Sequence, residues 1–326
     1  NYLSFYISVS IFTFFHAFRN KYDRIFVHLT SPFFVGLAAV HLKKRQKIPL
    51  LFWTLDLWPE SISSASSIKS PYIINPINKM VCYVYNNCDK ILIGSKGFAS
   101  SICAKGNYKD KLVYFPNWSE YNSNESDNIA NIPLIEPFVS KKEDDFIVLF
   151  AGNLGEAQNL DSVIQTAVIL KENKNIKFVF IGDGRKKEYL LNIVKQYNLD
   201  NIVYFTGRFP IETMPSFMKE SDVLLVSLKD EHCFNLTVPS KVQFYMSQAK
   251  PILGMLNGDG ADLIHEAHCG LAVKAGDYNA LSESIKKLYK MPKEELIKLG
   301  KNGKEFYDAN FQKSQRMHQL NKLLED

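Results

Sequence analysis

Lys241 is the residue of this chain whose position is hardest to explain without chemistry. The stretch TVPSKVQFYMSQAKPIL, residues 237–253, reads as a helix feeding a strand. Pro239 suits a first helical position because its missing N–H and fixed φ cost nothing there, and Thr237 just upstream is a candidate cap. Val242, Tyr245, Met246 and Ala249 recur at i, i+3, i+4 and i+7, and the apolar run PILGML that follows reads as a buried strand. Lys241 therefore falls in the first turn, where free N–H groups and the helix dipole favour anions by roughly 0.3–1 kcal/mol. No Asp or Glu occurs between Asn235 and Lys250 to neutralise it. Two outcomes are open: the ammonium reaches into water, or it shares a bound phosphate with the helix N-terminus.

Three further loops could meet the same anion. FAGNLGEAQNLDSVI runs from a strand through Gly152, Asn153 and Gly155 into a helix starting near Asn159, and glycines at such a turn let a phosphate approach backbone N–H groups. The loop lacks the G-K-S/T ending of a Walker A sequence and the third glycine of the dinucleotide fingerprint. FVFIGDGRKKEYL repeats the turn at Gly182 and Gly184, with Arg185, Lys186 and Lys187 at the helix start. FTGRFPIETM places Arg208 after a strand, where its guanidinium could fork onto a diphosphate or pair with a surface carboxylate. Taken singly, each glycine is equally well explained by a tight strand-to-helix turn. Earlier in the chain, HLTSP leaves Thr30 and Ser31 at a strand end, and WTLDLWPES leaves Asp56, Trp58 and Glu60 at the next. An acid, an aromatic and a second acid suit a sugar or acceptor site, since carboxylates hold hydroxyls and an indole stacks on a ring face. His28 falls inside the strand pattern and is read as packed rather than catalytic.

Positioning these loops takes a regular scaffold. RIFVHL, IPLLFWTL, KILIGS and KLVYF read as strands, with helices over residues 34–47, about 76–88 and from Lys96; such alternation implies a parallel sheet with helices on both faces. Residues 119–145 are polar and aperiodic, and read as a linker. A second series follows in FIVLFAGNLG, IKFVFIGDG, NIVYFTGR, DVLLVSL, KPILGML and GLAVKAG, whose near-continuous apolar runs imply burial on both faces. The expected fold is α/β with two Rossmann-like lobes: a first over residues 1–118, a linker over 119–145 and a second over 146–306, with a helix over 307–326 packing back on the first. Ligands of such open sheets sit beyond the carboxyl ends of the strands.

With 326 residues, 46% apolar and 22% charged, the chain has the composition of a two-domain globular protein. Residues 1–120 hold 14 Lys and Arg against 6 Asp and Glu, while the remainder holds 25 against 28, so the first part is the one suited to an anionic surface or ligand. Five cysteines without CxxC pairs or His-ligand spacing argue against zinc and a disulfide framework, and fit a reducing cytoplasm. The opening NYLSFYISVSIFTFFHAF is aromatic, dotted with serines, marginal in length for a membrane span and without a cleavage pattern. It reads either as a helix lying on a membrane or as one buried against the domain.

In this order, DLWPES, PNW, GNLGEAQ, IGDG, FTGRFPIETMP and VPSKVQFYMSQAKPILGMLNGDGADLI resemble the retaining glycosyltransferases of family four, of GT-B architecture, and within them the bacterial subgroup that builds O-antigen and related polysaccharides. The resemblance implies a nucleotide-sugar donor on the second lobe, an acceptor on the first, and reaction in the cleft between them. It implies no metal and no resident cofactor, positive groups stabilising the departing diphosphate instead. Lys241 and Arg208 match that role, with Asp56 and Glu60 on the acceptor side. Gly152, Asn153, Gly155 and Gln158 match the first donor loop, Gly182 and Gly184 the second, and Ser240 and Gln243 flank Lys241. Where the family commonly carries two glutamates eight positions apart, the later one holding ribose, this chain has Leu236 and Phe244; Gln243 is the nearest polar substitute. Asn153 and Gln158 also stand where the first donor loop usually carries Arg and Lys. The family's opening strand and glycine-rich loop do not precede Asn1, so the first lobe is expected to be incomplete. The expected activity is transfer of a sugar such as N-acetylfucosamine from UDP to an undecaprenyl-diphosphate-linked acceptor, by a cytoplasmic protein peripheral on the inner face of the plasma membrane, with no nucleic-acid partner. A truncated, non-catalytic sugar-nucleotide-binding module and a GT-B nucleotide-sugar 2-epimerase are the alternatives.

Overall fold

Both series of strands form, and each builds its own parallel sheet. The computed structural model describes residues 2–29, 32–65, 70–119, 135, 137–139 and 142–325; Thr30, Ser31 and most of the expected linker lie outside the described residues. The first sheet has the order β1 (Ile25–Leu29), β2 (Leu50–Thr54), β3 (Lys90–Ile93), β4 (Leu112–Tyr114). The second comprises β5 (Phe146–Ala151), β6 (Ile176–Ile181), β7 (Val203–Gly207), β8 (Val223–Ser227), β9 (Ile252–Met255) and β10 (Gly270–Val273), in the order β10-β9-β8-β5-β6-β7.

The chain divides into two units, Asn1–Pro116 with His318–Asp326, and Asn117–Met317. In place of a single closing helix over 307–326, one helix, Lys293–Asn310, stays in the second unit and another, Lys313–Glu325, takes the chain back to the first. The break falls at Phe311, whose backbone leaves the helical range (φ −129°, ψ 8°) and whose ring is buried beside those of Phe306 and Tyr307. The returning segment is tied within the first unit: Gln319 Nε2 donates to the Tyr114 carbonyl at 3.0 Å, and Arg24 donates to that of Glu325 at 3.0 Å.

In the first unit, Phe52 on β2 is fully buried, its ring 5.2 Å from Phe33 and 6.2 Å from Tyr85. Trp58 joins this core beside Phe33 and Phe34 and is 4% exposed. Trp58 is thus a packing residue and not the exposed stacking platform expected from DLWPES. His28 instead occupies an exposed strand position, its ring stacked 4.6 Å from that of Trp53.

The second sheet explains its apolar strands residue by residue. Phe146, Val148 and Phe150 of β5 enter one buried cluster, and Ile147, Leu149 and Ala151 enter another. Side chains alternate along a strand, so a strand buried on both faces shows no alternation in its sequence. The strand order reverses beside β5, which pairs with β6 on one side and β8 on the other, and chains leaving such a point open a crevice at the carboxyl ends. Among the described residues no helix is long and apolar enough to cross a membrane.

Replacing Phe52 by alanine is expected to cost about 3–5 kcal/mol, because the surrounding rings close only partly over the vacated volume. Urea unfolding followed by far-UV circular dichroism measures the change, and a loss below about 1 kcal/mol would show that this packing is not the first unit's centre.

Candidate functional site

A pocket of about 430 Å³ lies where the topology places a crevice, at the carboxyl ends of β5, β6 and β7. Gly152 and Asn153 line it after β5, Gly182 and Asp183 after β6, and Arg208 and Phe209 after β7. The fourth wall is the helix Ser240–Ser247, from which Lys241, Phe244 and Tyr245 face the pocket. Their spacing of i, i+3 and i+4 puts all three on one helix face. Tyr245 fixes this face to the sheet: its hydroxyl accepts from the Ala151 N–H at 3.1 Å.

The helix entry differs in detail from the sequence reading. Pro239 is the cap residue, with extended backbone (φ −62°, ψ 132°), and the helix begins at Ser240. Thr237 does not cap it; its hydroxyl donates to the Cys233 carbonyl at 2.7 Å, closing the preceding short helix. No side chain caps the first turn, so its N–H groups keep their affinity for an anion.

Lys241 does not reach into bulk water. Its ammonium donates to Gln158 Oε1 at 2.8 Å and sits 3.8 Å from the centre of the Phe150 ring. No carboxylate pairs with it among the described residues, and burial pulls its pKa down from 10.5 to about 7. A neutral amide and a ring face offset only part of what the charge loses in leaving water. An incoming anion would supply the remainder. Arg208 is exposed and carries no ion pair among the described residues. A register shift between β6 and β7 pairs Ile181 with Gly207 rather than with Thr206, and this irregularity immediately precedes the arginine.

Gly152 has φ +142°, and a Cβ there would stand 2.7 Å from both Cε and Nζ of Lys241. Gly182 has φ +136°, and its Cβ would lie 1.9 Å from the Gly152 carbonyl oxygen. The two turns thus touch each other and the lysine through backbone alone. Gly184 serves the same interlock from behind: its Cβ would meet the Leu154 carbonyl oxygen at 2.4 Å, while the Leu154 N–H donates to the Asp183 carbonyl at 2.9 Å.

The remaining expected residues divide clearly. Gln158 is brought into the site as the partner of Lys241, its backbone held by the Ser227 hydroxyl at 2.5 Å. Gly155 does not line the pocket; it makes room for the Asn153 side chain, which a Cβ would approach to 2.5 Å. Ser240 is exposed and contributes no wall. Gln243 points into the core at 1% exposure, its Oε1 without a partner, so it is no substitute for a ribose-holding glutamate; Phe244 lines the pocket there. Lys186 is likewise committed, ion-paired with Asp161 and, at 3.4 Å, with Glu156.

Asp56 and Glu60 belong to the first unit and do not line this pocket. Glu60 pairs with the ammonium of Lys105 and accepts from the Ser101 hydroxyl at 2.9 Å. Asp56 accepts from Trp58 Nε1 at 3.1 Å; burial raises its pKa above the ordinary value against the hydrogen bonds from Ser61 and Trp58. Asp56 is thus engaged within its own loop, whereas Glu60 is tied to Ser101 and Lys105 through one oxygen, its Oε2 being buried without a hydrogen-bond partner among the described residues. Among the described residues no group of three or more His, Cys, Asp or Glu is placed to hold a metal ion.

Residues 132–306, more than half of the chain, match the family model described as glycosyl transferases group 1. The chain belongs to the group 1 glycosyl transferases. Over 247 residues, 72% of the chain, it is 28% identical to the probable glycosyltransferase WbjE of Pseudomonas aeruginosa, covering 58% of that protein. It therefore spans little more than half the length of this relative. A shorter stretch of 96 residues, 29% of the chain and 26% of the relative, is 36% identical to the O-antigen biosynthesis glycosyltransferase WclY of Escherichia coli. Anabaena HepE, solved in complex with UDP and glucose, superposes with a TM-score of 0.74 over 98% of this chain and 81% of its own at 14% identity. That likeness is one of fold, the two-sheet α/β architecture of GT-B glycosyltransferases.

For a group 1 glycosyl transferase the sequence supplied the charged and glycine positions of the pocket but missed its apolar wall. Phe209, Ile211, Met214, Phe244 and Tyr245 all line it. Phe244 and Tyr245 were recoverable from their helical spacing to Lys241; Phe209, Ile211 and Met214 had no signal, since large apolar residues after a strand are usually core. Phe150, under the ammonium, is hidden among equally apolar strand residues.

Below pH 7 the buried ammonium keeps its full desolvation cost, and this cost fades as pH rises toward 10.5, because the unfolded chain then binds more protons than the folded one. Lys241→Met is therefore expected to be the more stable protein at pH 7, by a margin on the order of a few kcal/mol that shrinks toward pH 10. Denaturant titrations of both proteins across that range check it; a margin independent of pH would remove the assignment of a desolvated ammonium.

Proposed function

We propose that this chain carries the donor half of a glycosyltransferase that moves a sugar from a UDP-sugar to a lipid-linked saccharide in O-antigen-type polysaccharide assembly at the cytoplasmic face of the membrane. The observation that carries the proposal is the buried ammonium of Lys241, without a carboxylate partner, set in an uncapped helix mouth against two glycine turns. The diphosphate of the donor supplies the missing charge, with Arg208 closing on it from β7. The base lies on the apolar side made by Phe209, Ile211 and Met214, and Phe244 replaces a polar contact to ribose. HepE in complex with UDP and glucose, and the O-antigen role in the name of WclY, support this choice of ligand and process.

When the bond from the anomeric carbon to the diphosphate breaks, negative charge grows on the leaving oxygens. Two cations and backbone N–H groups already oriented there stabilise it without reorganising, the kind of contribution that commonly dominates such catalysis. No metal is used in this reading. The sugar is assigned as an N-acetylated deoxyhexosamine, transferred with retention to an undecaprenyl-diphosphate-linked acceptor held by the first unit.

Lys241→Ala and Arg208→Ala are each expected to weaken UDP binding about 10- to 100-fold, the range for loss of a hydrogen bond to a charged group. Calorimetric titration reads this directly, and equal affinities for wild type and Lys241→Ala would remove the donor assignment. Wild type is also expected to take up protons on binding and to bind UDP less tightly above pH 7, a trend absent from Lys241→Met, since the diphosphate favours the protonated amine. Two other readings, a module that binds UDP-sugar without turning it over and a 2-epimerase, are separated by the products. A lipid-linked acceptor that gains a labelled sugar supports transfer. Donor isomerised without acceptor points to a 2-epimerase, and donor bound but unchanged points to the module.

A further inference from the structure

The first helix, Tyr2–Arg19, is built inside out. Ile11, Phe12, Phe15 and Phe18 are exposed at 53%, 66%, 66% and 62%, whereas the small or polar Ser10, Thr13 and Ala17 are half-buried beside Tyr6, whose ring meets Phe34. The helix is nevertheless pinned in place. Gln46, at the end of the helix Val35–Gln46, donates to the carbonyls of Ala17 at 3.1 Å and Asn20 at 2.8 Å, and accepts from the Tyr22 N–H at 3.1 Å. Four large apolar side chains are thus held toward solvent by a specific set of hydrogen bonds. A contiguous exposed apolar face of this kind marks an interaction surface.

Charge identifies what the face meets. Residues 1–55 contain seven Lys and Arg and a single acid, Asp23. Arg19, Lys21 and Lys47 are exposed and have no ion pair among the described residues. The Arg45 guanidinium lies 3.2 Å from the centre of the Phe18 ring, at the seam between the apolar face and the basic cluster. Beside it, a groove of about 620 Å³ runs between the two helices, lined by Tyr6, Phe14, Phe15, Leu37, His41 and Lys44. A second protein would have to offer an apolar surface ringed with acids; a bilayer bearing anionic headgroups has that arrangement everywhere. No described helix is long and apolar enough to cross a membrane, and this one, laid in the interface plane, would set its aromatic side chains among the acyl chains and the cations among the headgroups.

We infer that this face is a docking surface for an anionic lipid bilayer. The inference deepens the proposed function by naming the part of the chain that meets the membrane, and rests on that reading only for the choice of bilayer. Full-length chain is mixed with vesicles of phosphatidylglycerol and phosphatidylethanolamine, or of phosphatidylcholine alone, and floated on a density gradient without donor or acceptor. Wild type is expected to float with the anionic vesicles and at least about tenfold less with the neutral ones. Phe12→Ser with Phe15→Ser is expected to reduce anionic binding roughly tenfold or more per phenylalanine, while Lys21→Glu with Lys47→Glu does so in a way that salt from about 0.1 to about 1 M mimics. Because all four side chains are exposed, thermal unfolding of the variants should match wild type. Wild type that fails to float, or a serine pair that floats unchanged, overturns the inference. A lipid-free dimer that the serine pair turns into monomer also overturns it, making the face a contact between copies. UDP titration of the same variants separates the two readings: loss of vesicle binding with UDP affinity intact is expected. Failure of wild type to bind UDP would count against the donor site alone.

Discussion

The second unit is organised around one charge that has lost its water. An ammonium lowered to a pKa of about 7 by burial tolerates few neighbours, and each one that it has is fixed by a different element. Phe150 comes from the central strand, Gln158 from the short helical turn after it, and the helix Ser240–Ser247 supplies the lysine. Gly152 leaves the space that the Lys241 stem fills. The reversal of strand order beside β5 is what lets residues so far apart in sequence converge on a single amine.

Burial of a cation with a neutral amide and an aromatic ring is a compromise, and it explains why the surroundings are so closely specified. A carboxylate in place of Gln158 would satisfy the lysine permanently and leave it no reason to bind an anion. An amide holds the amine in position while leaving its charge largely uncompensated. Asp161 and Glu156 show the contrast a few residues away: they neutralise Lys186, which thereby becomes part of the scaffold.

Much of this was legible in the sequence, for identifiable reasons. The ten apolar runs all form strands, and the central ones of the second sheet, β5, β6, β8 and β9, read most plainly because parallel strands buried on both faces are apolar throughout. The cation without an acid between Asn235 and Lys250 marked the site, because charge is visible in a sequence where packing is not. What failed depended on direction. Gln243 and Trp58 are polar or amphipathic residues at suggestive positions, yet one faces the core and the other packs against Phe33. Glu60 looked available because Lys105, which pairs with it, is forty-five positions away. The closing helix was expected whole, and it breaks at Phe311, where the backbone leaves the helical range.

The two glycine turns have an implication for how such a pocket can diversify. A Cβ at Gly182 would collide with the Gly152 carbonyl, and one at Gly152 with the end of the Lys241 side chain, so neither position can gain a carbon without displacing part of the site. At these two glycines the pocket wall is backbone, with Asn153 and Asp183 beside them as the side chains on that wall. If the pocket takes the donor proposed above, its preference among sugar nucleotides is most open to change on the opposite side, at Phe209, Ile211, Met214 and Phe244, where shape is set by exchangeable groups. On that proposal, the part common to all such donors, the diphosphate, meets the wall that is hardest to vary, and the part that differs meets the wall that is easiest to vary.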